Sequence, residues 1–230
     1  MIRAAGRVGT PEAHPALETL CTTYREPVYT FIRWKWARGS EEEARDLTQG
    51  FFARLLAKNH EVAAVDEAEG KFRIWLLKTV DHYCINVWKR ARAGKRGGGA
   101  PHVSLDADEE EECSRLQLAH GLTPERMFER RWALTLLDRA LCALRDEYAG
   151  RDDLPTFEKL KLCLAGGNDQ NHDEMARDIG LDRANTFTVR VNRFKGRFRA
   201  RLRDEIAQAV RSEAEIEAEL QHLREALRSR

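Results

Sequence analysis

Apolar residues in this chain recur at three- and four-residue intervals almost throughout, and the two-residue alternation that a strand needs is nearly absent. Leu17, Leu20, Tyr24, Val28 and Phe31 form one such stripe. Leu47, Phe51 and Leu55 form a second, and Phe72, Leu76, Val80, Tyr83 and Val87 a third. That period places each set on one face of a helix, and three such faces can bury one core. The punctuation agrees. Ser40 with Glu43, Asn171 with Glu174, and Ser212 with Glu215 each put a capping side chain three positions before a carboxylate that can reach back to it. Thr123 before Pro124 is another start, because proline at the first helical position gives up no needed hydrogen bond. The expected fold class is all-α.

The stripes are interrupted once at length. From Ala93 to about Leu122 the chain carries Gly97, Gly98, Gly99 and Pro101, then six acids in the seven positions from Asp106 to Glu112, with no sustained apolar face. Beyond it, Trp132, Leu136, Leu137, Ala140, Leu141 and Leu144 make a new buried face. Phe157, Leu160, Leu162 and Leu164 begin a further helix that ends near Gly166 and Gly167. A chain of 230 residues exceeds one ordinary compact domain. The expected organisation is therefore a mobile tail over 1–14, a helical domain over 15–94, a linker over 95–122 and a second helical domain over 123–210. A helical extension over 211–230 follows, in which Ile216, Leu220, Leu223 and Leu227 keep helical spacing. Stabilising the second domain is the default role for that extension. Restraint of DNA binding and pairing with another protein are the alternatives.

Several function classes drop out. No apolar run approaches the roughly 20 residues that span a bilayer, and residues 1–10 lack the apolar core of a signal peptide, so no membrane partner is expected. Cys21, Cys84, Cys113, Cys142 and Cys163 are odd in number, widely spaced and contain no C-x-x-C pair. They signal neither a disulfide framework nor a zinc site, and they suit a reducing cytoplasm. Catalytic triads, phosphate loops and carboxylates paired at helical spacing are not evident, so no enzymatic activity, metal or cofactor is expected.

The overall charge of +1 conceals segregation: Arg183 to Arg203 holds eight basic residues and no acid. That block lies in a segment, about 171–203, that reads as a helix-turn-helix. A short helix carries Met175, Ala176 and Ile179, Gly180 permits a sharp turn, and Phe187, Val191, Phe194, Phe198 and Leu202 dock a long second helix. Arg190, Arg193, Lys195, Arg197, Arg199, Arg201 and Arg203 fall between the docking residues, where they can meet phosphates or base edges. DNA contact is the favoured reading, and a solvated face or one that binds an acidic protein is the alternative. A second basic cluster, Trp88, Lys89, Arg90, Arg92, Lys95 and Arg96, follows a helix bearing Trp75, Tyr83 and Asn86. Aromatic rings among cations suit single-stranded DNA, since any base can stack while the charges follow the backbone. Phe72, Trp75 and Tyr83 read equally well as core.

With these residues in view, the chain from about Pro15 to Val210 resembles extracytoplasmic-function sigma factors of bacterial RNA polymerase. DLTQGFFARLL at 46–56 resembles the helix with which those proteins grip the clamp helices of the largest polymerase subunit. GKFRIWLLKTVDHYCINVWKRARAGKRGGG at 70–99 is similar to their promoter-melting and minus-ten segment. ERRWALTLLDRAL at 129–141 and HDEMARDIGLDRANTFTVRVNRFKGRFRARL at 172–202 are similar to the domain that reads the minus-thirty-five element.

The resemblance implies a sigma factor that binds core polymerase at the clamp helices and at the flap of the second-largest subunit, and brings it to promoter DNA. It implies polymerase contacts at Asp46, Gln49, Phe52 and Leu55, and minus-ten contacts at Lys71, Arg73, Asn86, Trp88, Lys89, Arg90 and Arg92. Minus-thirty-five contacts fall to Arg183, Thr188, Arg190, Asn192, Arg193, Lys195 and Arg197, with Asn192 a base reader. An anti-sigma factor and a Ser/Thr kinase are further candidate partners.

The sequence departs from the pattern in three places. The turn after Gly180 is one residue longer than usual, Gly196 interrupts the basic helix, and Arg45, Thr48 and Gly50 interrupt the acidic surface of the polymerase-binding helix. Phosphorylation of Thr48 would restore about 1.5 to 2 negative charges there. The competing classes are a dimeric helix-turn-helix repressor or activator that works without polymerase, and a helical adaptor that sequesters a transcription factor.

Overall fold

The computed structural model describes residues 13–57, 72–96, 121–164, 172–178, 184–208, 210 and 212–228. Every regular element among them is helical, as the spacing predicts. The helices are α1 (Ala13–Lys35), α2 (Glu41–Ala57), α3 (Phe72–Arg96), α4 (Pro124–Ala149), α5 (Leu154–Leu162), α6 (His172–Asp178), α7 (Ala184–Ala207) and α8 (Glu213–Arg228).

The capping signals that can be checked are in place. The amide of Glu43 donates to Ser40 Oγ (3.4 Å), that of Arg126 to Thr123 Oγ1 (3.3 Å) and that of Glu215 to Ser212 Oγ (3.3 Å). The Asn171 cap lies outside the described residues. Between α1 and α2, Arg38 and Gly39 both adopt positive φ (48° and 88°), which reverses the chain within a few residues. Pro27 sits inside α1. It removes one backbone donor at a cost of about 3 kcal/mol, which burial of the surrounding stripe offsets.

The chain divides into two compact units. Unit 1 comprises residues 1–135 together with 208–230, and unit 2 comprises 136–207. The division falls inside α4 instead of at residue 123, and α8, the expected extension whose default role by sequence is to stabilise the second domain, belongs to the first unit. The Gly-rich and acidic segment therefore joins two helices, α3 and the start of α4, that both lie in unit 1.

In unit 1 the α1 stripe is buried throughout, with Leu20, Val28 and Ile32 fully inaccessible. Tyr24 meets Phe72 edge-on at 5.2 Å, and Phe31 meets Phe128 of α4 at 6.5 Å. The buried line of α3 runs through Phe72, Leu76, Val80 and Cys84, so it continues through Cys84 while Tyr83 and Val87 are half-buried beside it. Burial pushes the Cys84 thiol up to about 12, which makes it an inert protonated thiol.

Arg73, expected at a DNA face, lies instead in the interior of unit 1 with its side chain 4% exposed. Its Nε and Nη2 donate to Glu219 Oε2 of α8 at 3.1 and 2.9 Å, and its Nη1 donates to Glu129 of α4. The guanidinium also lies 4.2 Å from the ring centroid of Trp132. His222 Nε2 approaches the same Glu129 oxygen at 2.8 Å. Two carboxylates and an aromatic face replace the water that the cation loses, which is why an arginine can sit there. The tail helix docks through this charge cluster as well as through Ile216, Leu223 and Ala226.

Unit 2 closes around aromatic rings. Tyr148, Phe157 and Phe194, from α4, α5 and α7, stand 5.9 to 6.0 Å apart centroid to centroid. Leu144, Leu160, Cys163, Ala176, Phe187 and Val191 complete the core. Leu162, placed in the α5 stripe by sequence, points outward at 55% exposure.

Replacing Arg73 by alanine strands two carboxylates in unit 1 and should lower its stability by about 3–5 kcal/mol in urea unfolding. Combining Arg73→Met with Glu129→Gln and Glu219→Gln should recover most of that loss. A single substitution costing under about 1 kcal/mol would show that the cluster contributes little.

Candidate nucleic-acid interface

Two surfaces, one in each unit, gather most of the residues that the sequence singles out. The first is the C-terminal half of α3. Because the buried line passes through Val80 and Cys84, Asn86, Trp88, Lys89, Arg90 and Arg92 are left on the outside, all exposed. Trp88 is 49% exposed, unusual for so large an apolar ring, and the Arg92 guanidinium lies 4.6 Å from its centroid. Lys71 lies outside the described residues, as do the side chains of Lys95 and Arg96.

Beside this surface is a shallow cavity of about 350 Å³ lined by Arg54, Tyr83, Asn86, Val87 and Arg90. Its walls offer two guanidiniums, an amide that can both donate and accept, and a phenol. Burial raises the Tyr83 hydroxyl above its ordinary range, while Arg54 and Arg90 pull the other way. Tyr83 reaches this position because the facing residue on α2 is glycine: a Cβ on Gly50 would stand 2.3 Å from Tyr83 Oη. Phe51 holds the ring from the side at 5.7 Å. Arg54, Val87 and the role of Gly50 escape a reading by motif. A glycine in the middle of an otherwise regular helix was the available signal.

The residues that the resemblance assigns to polymerase contact divide. Asp46 and Gln49 are exposed on α2, whereas Phe52 (8%) and Leu55 (2%) are buried and serve the core, because the apolar period of α2 turns them inward. Leu56, at 46%, is the exposed large apolar residue of that helix. Thr48, expected at the surface, is buried at 3% and its hydroxyl donates to the carbonyl of Ala44 at 2.6 Å. A kinase could reach it only after α2 opens locally, so the expected phosphorylation surface is absent from this conformation.

The second surface is α7. Phe187, Val191, Phe194 and Leu202 are buried and Phe198 packs partly against the same core, which turns Thr188, Arg190, Asn192 and Arg193 outward. Lys195 and Arg197 are half-buried, and Arg197 lies over the Tyr148 ring at 5.3 Å. Ala176 of α6 is 1% exposed within the core that receives Phe187 and Val191, the small residue that a close helix contact requires. Residues 179–183, including Gly180 and Arg183, lie outside the described residues. α7 runs unbroken through Gly196, where an added Cβ would meet nothing within 4 Å.

Among the described residues, no grouping of three or more His, Cys, Asp or Glu side chains could hold a metal ion, and no helix is long and apolar enough to cross a membrane. No family model, curated protein or solved structure matches the chain.

The two helical glycines should respond differently to alanine. Gly196→Ala should gain about 1 kcal/mol in urea unfolding, because the intrinsic helix preference is met by open space. Gly50→Ala should gain clearly less, because Tyr83 must move aside. Equal gains at the two positions would rule out the Tyr83 contact.

Proposed function

We propose that this protein is a sigma-type initiation factor that binds core RNA polymerase and directs it to promoters. The supporting observation is that two chemically different exposed faces, each carrying arginines, occur on one chain. The α3 face combines an exposed indole, a stacked guanidinium and a cavity lined by two arginines, an amide and a phenol. Those groups suit an unstacked base and its phosphate, the form that DNA takes in an opened promoter. The α7 face carries Thr188, Arg190, Asn192 and Arg193 exposed around the side that its aromatic core leaves free, which suits the major groove of intact duplex.

A factor that only occupied duplex DNA would need the second face alone. One that opens DNA and holds a strand needs both. In this reading Asp46 and Gln49 of α2 contact polymerase, and the α3 residues capture the minus-ten strand. The α7 residues read the minus-thirty-five element, and Asn192 is the base reader. The chain carries out no bond chemistry of its own.

Transcription in vitro with core polymerase on a genomic fragment library, with start sites mapped, tests the proposal. Protein-dependent starts that share two spaced upstream elements are expected. Trp88→Ala should abolish open-complex formation while sparing duplex binding, and Arg190→Gln with Arg193→Gln should weaken duplex binding. DNA binding without any protein-dependent start would overturn the proposal in favour of a repressor or activator that works without polymerase.

A further inference from the structure

Glu147, in the last turn of α4, is already seated against the basic helix of unit 2. Its Oε1 accepts from Arg201 Nε at 2.8 Å and from Arg201 Nη2 at 2.5 Å, and its Oε2 accepts from Arg197 Nη2. The Glu147 side chain is only 24% exposed. Each arginine has a second partner that holds it in the same place: Arg197 lies over the Tyr148 ring, and Arg201 Nη1 stands 3.7 Å from Asp204.

Arg190, Arg193, Arg197 and Arg201 follow one another at intervals of three, four and four, so they form a single row spanning about 16 Å of helix. The first two are exposed, and the last two, Arg197 half-buried and Arg201 at 45% exposure, are drawn onto one carboxylate. A carboxylate that offers both oxygens to guanidiniums presents the same bidentate acceptor geometry as a phosphate.

We infer that Glu147 acts as an internal stand-in for a DNA phosphate, withholding Arg197 and Arg201 from the backbone and limiting how many phosphates α7 can neutralise. The inference rests on the reading that α7 binds duplex DNA. It reassigns Arg197 from DNA contact to this clamp and leaves contact to Thr188, Arg190, Asn192 and Arg193. Sequence-independent affinity scales with the number of phosphates neutralised, so an internal acid lowers general adhesion to DNA without touching the residues that can read bases. One carboxylate cancels one of the two guanidinium charges, and its removal frees one to two phosphate contacts.

The test measures binding of the full chain to a short labelled duplex of arbitrary sequence by fluorescence anisotropy over a range of KCl concentrations. Glu147→Gln, which keeps the shape and removes the charge, should tighten binding and steepen the plot of log K against log salt by about 0.9 to 1.8. Arg197→Gln with Arg201→Gln in the parent chain should leave the slope unchanged, and adding them to Glu147→Gln should return it to the parent value. If Glu147→Gln reduces helical circular dichroism, Glu147→Asp, too short to span both guanidiniums, replaces it and should give an intermediate slope.

An unchanged slope in Glu147→Gln overturns the inference. So does a shallower slope shared with the Arg197 and Arg201 variants, since Glu147 would then be positioning those arginines for DNA. Failure of the underlying reading looks different: Arg190→Gln with Arg193→Gln would leave affinity and slope untouched, whereas a failed clamp leaves that pair's effect intact.

Discussion

Unit 1 depends on a cation that has exchanged water for protein. Arg73 begins α3, Glu129 lies early in α4 and Glu219 lies in α8, so one guanidinium ties together segments separated by 56 and 146 positions in sequence. The apolar stripes would bring these helices together in many rotations, because hydrophobic burial has no direction. A buried charge does not tolerate that freedom. Each carboxylate must reach the plane of the guanidinium, and Trp132 must lie beneath it, before burial stops costing several kcal/mol. The phenol of Tyr24, hydrogen-bonded to the Trp132 side chain and driven well above its ordinary range by burial, extends the polar cluster into the α1 core.

Helix identity was legible because it depends on local chemistry. The caps at Ser40, Thr123 and Ser212 act within one turn, and the stripes of α1 and α7 repeat often enough to fix their inner faces. Rotation was less legible wherever a stripe is two residues wide. Tyr83 and Cys84 are both apolar enough to face inward, and only the packing of α3 decides that Cys84 does. The same limit affects charged residues. Arg73 looks like its basic neighbours in sequence, and its partners lie too far along the chain for any local pattern to reveal them. Leu55 was assigned to polymerase contact by resemblance although its spacing placed it on the stripe, and the spacing was the better guide; Phe52, next to stripe residue Phe51, is buried without having been placed there.

Both candidate surfaces are products of what lies behind them. Tyr83 borders its cavity only because Gly50 leaves room, and Trp88 is displayed because the four residues at 72, 76, 80 and 84 take the inner side of α3. In unit 2, three rings from three helices orient α7, and the acid in the last turn of α4 engages two of its arginines, Arg197 and Arg201. Composition supplies the charges, and packing sorts them into those that meet solvent and those that meet one another.

The position of α4 changes what counts as a separable piece of this protein. Pro124–Thr135 belongs to unit 1 and Leu136–Ala149 to unit 2, within one uninterrupted helix. A nick in the glycine-rich and acidic stretch would therefore not divide the chain into its two units. The N-terminal fragment would keep α1 to α3 and their exposed inner faces, and the C-terminal fragment would keep the Trp132–His222 contact between α4 and α8 but lose Phe31 from Phe128 and Arg73 from Trp132, Glu129 and Glu219. Each half would hold what completes the other. The nicked protein is better regarded as a complementation pair than as two domains on a tether.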